Sequence, residues 1–240
     1  MIKFFRRIRQ ELLVEGNFFK YLMYALGEII LVVIGILIAL QINGWNENLK
    51  KEKLKASYEI SLRNDLSSDT LLLGKLIRDN YKLAEILSSQ QVRFLGPEAP
   101  LDTLVAILRN EFDPELNTRF KYNRKTFNTL IASGNIDLFT QEFNEMLMAL
   151  ISAQDIERER TNYYTQIYTN KISRFSDDYP VSRRQDSKIV NSIWADADKR
   201  ELAARFISLT DIKGFSHYTF ISEIENVRDQ TSAILKHIHN

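Results

Sequence analysis

Cysteine is absent from this 240-residue chain, and glycine and proline are scarce, with eight and four residues. Without cysteine the chain has no disulfide and no thiolate metal ligand, and this absence favours no cellular compartment over another. Two glycine-rich phosphate-binding motifs are absent from the chain: GxxxxGK[ST] and GxGxxG. The sequence therefore gives no support to phosphate binding through such a loop.

The chain also has no excess of charge of one sign, since Lys and Arg number 32 and Asp and Glu number 31. Five basic and three acidic residues precede Gly44, so the remainder is close to neutral as well. A nucleic-acid-binding domain usually has a basic excess on one face. We therefore expect no nucleic-acid partner.

Residues suited to metal binding or covalent catalysis are few. His237 and His239 are two residues apart and would point about 200° from each other on a helix, and no HExxH motif occurs. With His217, they are interpreted as solvated or capping histidines. Ser133 and Gly134 lack the glycine pattern of a nucleophile elbow, and no strand is predicted before them. We predict no catalytic residue, no metal and no cofactor.

What the sequence does contain is one long apolar run, Tyr21 to Leu40, which reads YLMYALGEIILVVIGILIAL. Twenty helical residues, at about 1.5 Å each, span the roughly 30 Å hydrocarbon core of a bilayer. Tyr21 and Tyr24 at the entry and Trp45 at the exit are typical of membrane interfaces. We predict a transmembrane helix over 21–43.

Two alternatives to a membrane anchor remain for this run. A buried helix of a soluble protein can be equally apolar, but it seldom combines this length with aromatic ends and basic flanks. A secretory signal peptide has a shorter apolar region followed by a small-residue cleavage site, whereas this run ends in LQINGWNENLKKEK. Both comparisons favour a retained anchor.

One face of the predicted transmembrane helix differs from the others. At 100° per residue, Glu28, Gly35, Ala39 and Asn46 fall within about 20° of one line. Gly35 and Ala39 allow close approach of another helix, and the Glu28 carboxylate needs a partner inside a bilayer. We predict a helix-pairing face. Alternatively, Glu28 reaches the lipid headgroups and Gly35 is simply tolerated.

Residues 1–20 form a basic arm before the apolar run. Apolar residues recur in it at three- and four-residue spacing, and basic residues occupy much of the remainder, which predicts an amphipathic helix on an anionic membrane surface. A mitochondrial presequence is the alternative, but Glu11 and Glu15 argue against it. The predicted membrane-interface residues are Phe5, Arg6, Arg7, Arg9, Tyr21, Tyr24 and Trp45.

The orientation of the anchor is predicted from the length of the segments on its two sides. Basic residues are equally frequent on both sides, so their number does not decide it. A short basic arm crosses a membrane unfavourably, whereas a long C-terminal domain is translocated largely regardless of charge. We expect the N-terminus in the cytoplasm and a soluble domain, 44–240, on the other side.

The domain from Gly44 onward shows helical periodicity, and no stretch in it alternates with period two for long enough to predict a sheet. The fold class predicted is all-α: the amphipathic helix, one transmembrane helix and a helical bundle with a long membrane-proximal helix. Asp113 and Pro114 are interpreted as a helix start, and Gly134 as a left-handed helix end. Further predicted helices are Leu101 to Glu111, Arg124 to Ala132, Gln141 to Phe175, Leu202 to Leu209 and Phe215 to Ile238.

Three polar or aromatic groups in this domain are candidate sites. Ser133, Gly134, Asn135 and Asp137 are weak candidates for a recognition surface, with a simple helix–helix corner as the alternative. The ERER stretch from Glu157 is interpreted as a solvated helix face. Three neighbouring tyrosines line either a groove or a bundle seam: Tyr163, Tyr164 and Tyr168.

Two stretches carry a resemblance to a known family. YLMYALGEIILVVIGILIALQINGWNE, preceded by basic residues, resembles the opening of a family of uncharacterised single-span membrane proteins from Bacteroidota. TLIASGNIDLF, Thr129 to Phe139, is similar to the second recurrent stretch of that family. The resemblance implies a bacterial origin and an inner-membrane anchor, and it implies no catalytic residue.

These observations lead to three functional hypotheses. The first is a membrane-anchored, non-enzymatic interaction or sensory module of the bacterial envelope, with membrane lipid and another envelope protein as partners. The second is a homo-oligomeric membrane assembly, a pore or mechanically responsive complex, built on the helix-pairing face. The third is an enzyme that acts on the envelope, which would need a pocket with convergent titratable groups.

Overall fold

The computed structural model describes residues 18–180 and 187–239. The predicted amphipathic arm, with Phe5, Arg6, Arg7 and Arg9, lies outside the described residues, as does the side chain of Tyr21. The chain divides into two compact units, Met1–Ser57 and Tyr58–Asn240. The second unit contains all the packed helices discussed below and is called the bundle.

The described residues contain six α-helices and no strand, so the predicted all-α fold class is confirmed. A short 3-10 turn, Asn135–Leu138, lies between the third and fourth helices. The helices, in chain order, are α1 (Phe18–Leu95), α2 (Leu101–Asn110), α3 (Lys125–Ser133), α4 (Gln141–Asp178), α5 (Lys188–Asp196) and α6 (Lys199–His239).

The first part of α1 is long and apolar enough to cross a membrane, by length and composition. Its apolar side chains are exposed rather than packed: Leu31 is 70% exposed, Leu40 63% and Ile42 61%. From Leu62 onward the same helix buries a side chain every three or four residues, most of them apolar, with Asp69, Asn80 and Gln90 as the polar members. The apolar residues of α1 thus fall into an unpacked set and a packed set.

The ends of α3 and α4 follow from local chemistry. Gly134 has φ 69°, the left-handed conformation predicted for the end of α3. This conformation favours glycine, because a glycine residue has no Cβ to clash with the backbone. Thr140 caps α4 by accepting a hydrogen bond from the Phe143 N–H at 3.3 Å. At the start of α3 the cap comes from α1, because Asp65 accepts hydrogen bonds from both the N–H and the hydroxyl of Thr126.

The bundle buries two apolar clusters. The first core cluster includes Leu62 to Ile77 of α1, Leu130 of α3, Phe143 to Ala153 of α4 and Phe220 to Ile234 of α6. The second core cluster includes Leu87 and Phe94 of α1, Leu104, Ile107 and Leu108 of α2, Tyr168 and Phe175 of α4, Trp194 of α5 and Leu202 to Leu209 of α6. Each of the three long helices therefore contributes to both clusters.

Two predicted helix boundaries were wrong. Asp113 and Pro114 start no helix: residues 112–124 are extended, and the Asp113 carboxylate accepts a hydrogen bond from the Glu115 N–H at 2.9 Å in a local turn. The two predicted last helices are one, because α6 runs through Gly214 without interruption. A single glycine inside a helix lowers its stability but does not end it.

Substitution by alanine should have opposite effects on the stability of the bundle at Gly214 and at Gly134. A Cβ on Gly214 would lie 3.7 Å from Leu87 Cδ2, which is ordinary contact, so Gly214→Ala should stabilise the bundle by about 0.5–1 kcal/mol. Gly134→Ala should destabilise it by about 1 kcal/mol, because φ is positive there. Urea unfolding of the detergent-solubilised chain, followed by circular dichroism, measures the stability of both variants. Equal shifts of the two unfolding midpoints would contradict the assignment of Gly214 to a helix interior and of Gly134 to a left-handed helix end.

Candidate functional site

A layer of buried polar side chains separates the two core clusters. On α1 it is formed by Asn80, which follows the first cluster residue Ile77 and precedes the second cluster residue Leu87. On α4 and α6 it occupies the corresponding interval between the clusters. The members on those two helices are Glu157, Thr161 and Thr165 of α4, and Lys213 and His217 of α6. We call this set the polar layer.

The extended segment 112–123 runs across the polar layer. Its even-numbered residues face inward and its odd-numbered residues are exposed. Phe112 belongs to the second core cluster and Tyr122 to the first. The segment therefore connects the two clusters, and because it pairs with no strand among the described residues, its peptide groups need partners from side chains.

Asn80 is the centre of the layer on α1 and is fully buried. Its amide nitrogen donates to the carbonyl oxygens of Leu76, at 3.0 Å, and Asn117, at 3.1 Å. Its oxygen must then accept the 2.9 Å hydrogen bond from Nδ1 of His217, because an amide oxygen has no hydrogen. This arrangement places the imidazole proton on Nδ1 and leaves Nε2, which has no described partner, unprotonated.

Three further side chains bind carbonyl groups at the start of the segment. Gln90 of α1 donates to the Glu111 carbonyl at 3.1 Å, and Tyr168 of α4 donates to the Pro114 carbonyl at 2.6 Å. The Lys213 ammonium of α6 donates to the Asp113 carbonyl and lies 5.0 Å from the centre of the Phe112 ring. All three long helices thus hold the same stretch of backbone.

The end of the segment is held by two buried carboxylates. Asp69 of α1 accepts hydrogen bonds from the N–H of Asn123, at 3.0 Å, and from its side-chain amide, at 2.8 Å. Glu157 of α4 accepts from the hydroxyls of Tyr122, at 2.9 Å, and Thr161, at 2.7 Å. Burial raises the pKa of both carboxyl groups above their ordinary values, and the hydrogen bonds they accept oppose that shift.

Burial acts in the opposite direction on the two basic groups of α6. It lowers the pKa of Lys213 to about 8, although Asp113 and Glu115 oppose the shift. Burial and, to a smaller extent, the neighbouring Lys213 charge together lower the pKa of His217 to about 4. His217 is therefore neutral at physiological pH. Its Nδ1–H group is matched to the side-chain oxygen of Asn80, and this hydrogen bond joins α6 to α1 in one alignment.

A second feature is a cleft on the outer side of α4 and α6, with a volume of about 700 Å³. Its floor includes Phe175 and Leu209, and its walls carry Lys171 and Arg174 of α4 and Ser208 of α6. The Lys171 ammonium donates to the Ser208 hydroxyl at 2.7 Å. A polar cleft of this size is within the range of small-ligand sites.

The cleft lies on a regular antiparallel seam between the two helices. Successive pairs along the seam are Arg160–Glu223, Tyr164–Phe215, Lys171–Ser208 and Asp178–Arg205. The Tyr164 and Phe215 rings meet edge to face, 4.9 Å apart, and Tyr163 contacts Tyr164 at 5.1 Å. Tyr163 and Phe215 are 59% and 52% exposed, so aromatic surface adjoins the cleft.

The predicted recognition residues form the corner between α3 and α4. The Ser133 hydroxyl donates to the Thr129 carbonyl at 2.7 Å, and the Asn135 amide donates to the Tyr58 hydroxyl at 3.0 Å. Gly134 supplies the left-handed residue, and Asp137 is exposed. These contacts fit the alternative of a helix–helix corner, and a recognition role for the four residues stays a prediction.

The residues of the predicted helix-pairing face lie in α1. Gly35, Ala39 and Asn46 are exposed, Glu28 is half-buried, and a Cβ on Gly35 would contact no atom within 4 Å. Of the predicted interface aromatics, Tyr24 is half-buried and Trp45 is 68% exposed. No atom of residues 18–180 or 187–239 packs on Gly35, and its role in pairing with a second molecule stays a prediction.

Two interpretations of single residues were wrong. Glu157, assigned to a solvated face, is 2% exposed because Tyr122 and Thr161 satisfy its carboxylate. His217, assigned to solvent or a cap, is 0% exposed for the reason given above. Tyr168 is buried, unlike its neighbour Tyr163. No group of three or more potential metal ligands occurs in the described part of the chain.

The signal for the segment was present in the sequence. FDPELNTRFKYN, 112–123, alternates between inward and exposed residues for twelve positions, and the segment nevertheless forms no strand, in agreement with the prediction that no sheet occurs. The residues that hold the segment gave no such signal. Asn80, Lys213 and His217 lie far apart in sequence on helices with mixed polar faces.

Comparison with known proteins places these features in a family. Residues 28–179, more than half of the chain, match the family of unknown function DUF6090. The match includes most of the apolar run, the segment 112–123 and the whole of α4, and it ends before α5 and α6. No curated protein and no solved structure matches the chain.

The buried imidazole predicts an acid-sensitive bundle. The unfolded chain binds a proton at His217 below its ordinary pKa of 6.5, whereas the folded chain binds it only below about 4. Stability should therefore fall as the pH falls from 6.5 to 4, by about 3 kcal/mol from this group. His217→Gln, which keeps an amide donor for Asn80, should flatten that dependence.

Urea unfolding of both proteins at intervals between pH 4 and 7 measures the difference. The buried carboxyl groups Asp69 and Glu157 have raised pKa values and change stability in the opposite sense, but they are common to both proteins. The difference curve thus isolates His217. Parallel curves for the two proteins over this range would show that His217 is not buried in its neutral form.

Proposed function

Because this chain belongs to the DUF6090 family, whose function is unknown, we propose its role from its own residues. It is a single-pass, membrane-anchored and non-enzymatic module of the bacterial envelope, in which the bundle binds or senses another component. The lipid bilayer is its first partner, and an envelope protein or a second copy of the chain is the next.

The observation that carries this proposal is the exposed apolar part of α1. Between Leu22 and Ile42, large aliphatic side chains are about half exposed or more on every face of the helix. Burial of one such side chain is worth about 1.5–3 kcal/mol, so their exposure to water together would be very unfavourable. A bilayer satisfies all faces of the helix at once, whereas a protein partner normally covers one face.

An inner-membrane location with the N-terminus in the cytoplasm is favoured by the short basic arm on one side of the helix and the long domain on the other. The basic arm stays on the cytoplasmic side, and the bundle is then periplasmic. The bundle has the properties of a binding module: its buried titratable groups hold the segment 112–123, and its outer seam carries a cleft and exposed aromatic rings. Aromatic residues at a surface are typical of protein interfaces.

A homo-oligomer built on the helix-pairing face is the second candidate. It is favoured by the open space around Gly35, since a glycine that no neighbour in the chain requires is free to admit a second helix. Ala39 lies one turn further along the same face. Close backbone approach at these two residues would bring Glu28 of each chain to the same interface.

Membrane extraction tests the anchor. The full chain should remain in the pellet after a carbonate wash and ultracentrifugation, because its apolar helix is held by the bilayer core. Replacement of Ile34 and Leu37 by Asp should release it, whereas the same change at the exposed bundle residues Ile60 and Leu71 should not. Recovery of the unchanged chain in the supernatant without detergent would contradict the proposal.

Cysteine crosslinking tests the second candidate, since the natural chain has no cysteine. With Asn46→Cys, oxidation in native membranes should give a disulfide-linked dimer, because Asn46 extends the pairing face beyond the bilayer core. Asn48→Cys, about 200° away on the helix, is the matched control and should crosslink less. Adding Gly35→Leu should reduce the Asn46 dimer several-fold; no difference among the variants would reject pairing through this face.

A further inference from the structure

The cleft between α4 and α6 exists because small residues line one of its walls. Ala204 and Ser208 are one helical turn apart on α6, opposite the long side chains of Lys171 and Arg174 on α4. Elsewhere on the seam, large side chains such as Tyr164 and Phe215 meet and fill the gap. Where a small residue faces a long charged one, the walls stay apart and a cavity remains.

The charges that line the cleft are not fully compensated within the chain. Arg205 pairs with Asp178 and with Glu201, the latter at 2.6 Å, so its charge is offset. Lys171 contacts only the neutral Ser208 hydroxyl, and Arg174 has no ion-pair partner in the described part of the chain. Asp177 is the remaining carboxylate in the lining. With Arg205 paired to Asp178 and Glu201, the cations Lys171 and Arg174 are left with one carboxylate of the lining, Asp177.

The hydrogen-bond donors at this position point to an anion. An ammonium has three donors, and the bond to Ser208 uses one of those on Lys171. Because the Ser208 oxygen accepts that bond, its own hydrogen is left to donate. The Arg174 guanidinium, three residues from Lys171 on the same helix, adds a planar set of donors that matches a carboxylate or phosphate.

We propose that the α4–α6 cleft is a binding site for an anionic group, a phosphate or a carboxylate, held by Lys171, Arg174 and Ser208. The site uses side chains, and so it needs none of the glycine-rich loop motifs that the sequence lacks. The exposed rings of Tyr163 and Phe215 lie beyond Tyr164, about 10 Å along α4 from Lys171. A ligand with an apolar part attached to its anionic group would contact both the cationic side chains of the cleft and these aromatic rings.

This site deepens the proposed role as a sensory or interaction module and rests on that role for its biological meaning. The binding itself can be measured whether or not α1 spans a membrane. Failure of the anchor test would leave the anion site intact, and failure of the anion test would leave the anchor intact. The two proposals are thus separable by experiment.

The experiment is calorimetric titration of the full chain, in nanodiscs of phosphatidylcholine, with inorganic phosphate and with acetate at constant ionic strength. Saturable binding at one site per chain is expected. Lys171→Gln with Arg174→Gln should weaken it at least about tenfold, because two charge-assisted hydrogen bonds are lost. Circular dichroism of the variant confirms that it is folded.

A matched control is present on α1. Lys75 and Arg78 have the same types and the same spacing as Lys171 and Arg174, they are exposed, and they border no cleft described in the structure. Lys75→Gln with Arg78→Gln removes the same charge and should leave phosphate binding unchanged. Equal weakening by the two double variants, or no saturable binding by the natural chain to either anion, would overturn the proposal.

The source of the anion is distinguished in a second set of nanodiscs that contain phosphatidylglycerol. If a lipid headgroup fills the cleft, it competes with phosphate, so phosphate binding to the natural chain should be weaker in these nanodiscs. The loss of phosphate affinity caused by phosphatidylglycerol should be smaller for the Lys171→Gln variant. If the ligand is a soluble anion, phosphate binding should be the same in both lipids. Both results support an anion site, and each identifies the kind of molecule that occupies it.

Discussion

The structure of the bundle depends on how twelve residues of extended backbone are accommodated among helices. Peptide groups in a helix bind one another, but in segment 112–123 backbone partners are described only for the N–H groups of Phe112, which donates to the Ile107 carbonyl of α2, and Thr118, which donates to the Leu116 carbonyl. Each peptide group that is left without a hydrogen bond where water is excluded costs about 1–3 kcal/mol. The bundle meets this demand with side chains from α1, α4 and α6 that bind the segment at intervals along its length.

This demand explains the polar layer and the division of the core into two clusters. Leu76 and Ile77 lie on one side of Asn80 and Leu87 on the other, and α4 and α6 repeat the arrangement. A polar layer of matched donors and acceptors allows few alternative alignments, because a shift of one helix by a turn would leave several buried groups unpaired. We infer that the layer sets the register of the three long helices, whereas the clusters supply most of the stabilisation.

Sequence patterns predicted the parts of the fold that depend on local chemistry. The apolar period of α2, with Leu104, Ile107 and Leu108 inward, and the left-handed Gly134 were both confirmed. The continuity of α6 through Gly214 was not predicted, because tertiary packing outweighs the cost of one helical glycine. The polar layer could not be predicted for a different reason: its hydrogen bonds between different elements join residues 35 to 137 positions apart. Only the fold brings them together.

The candidate cleft has the same origin. Lys171 and Ser208 are unremarkable helix residues in the sequence, and their pairing follows from the antiparallel register of α4 and α6. That register in turn depends on the layer in which Glu157 and Lys213 hold one segment and His217 binds Asn80 of α1. The anion site and the structural layer are thus linked through the alignment of two helices, although they share no residue.

The most direct test of this account is amide hydrogen exchange at Asn123, resolved by nuclear magnetic resonance. The N–H of Asn123 donates to Asp69, so it should exchange only when the bundle unfolds, as slowly as the amides of the buried helices. The N–H of Lys121, an exposed position two residues earlier, should exchange much faster. Rapid exchange at both positions would show that the segment is an ordinary surface loop, and would contradict its role in aligning the helices.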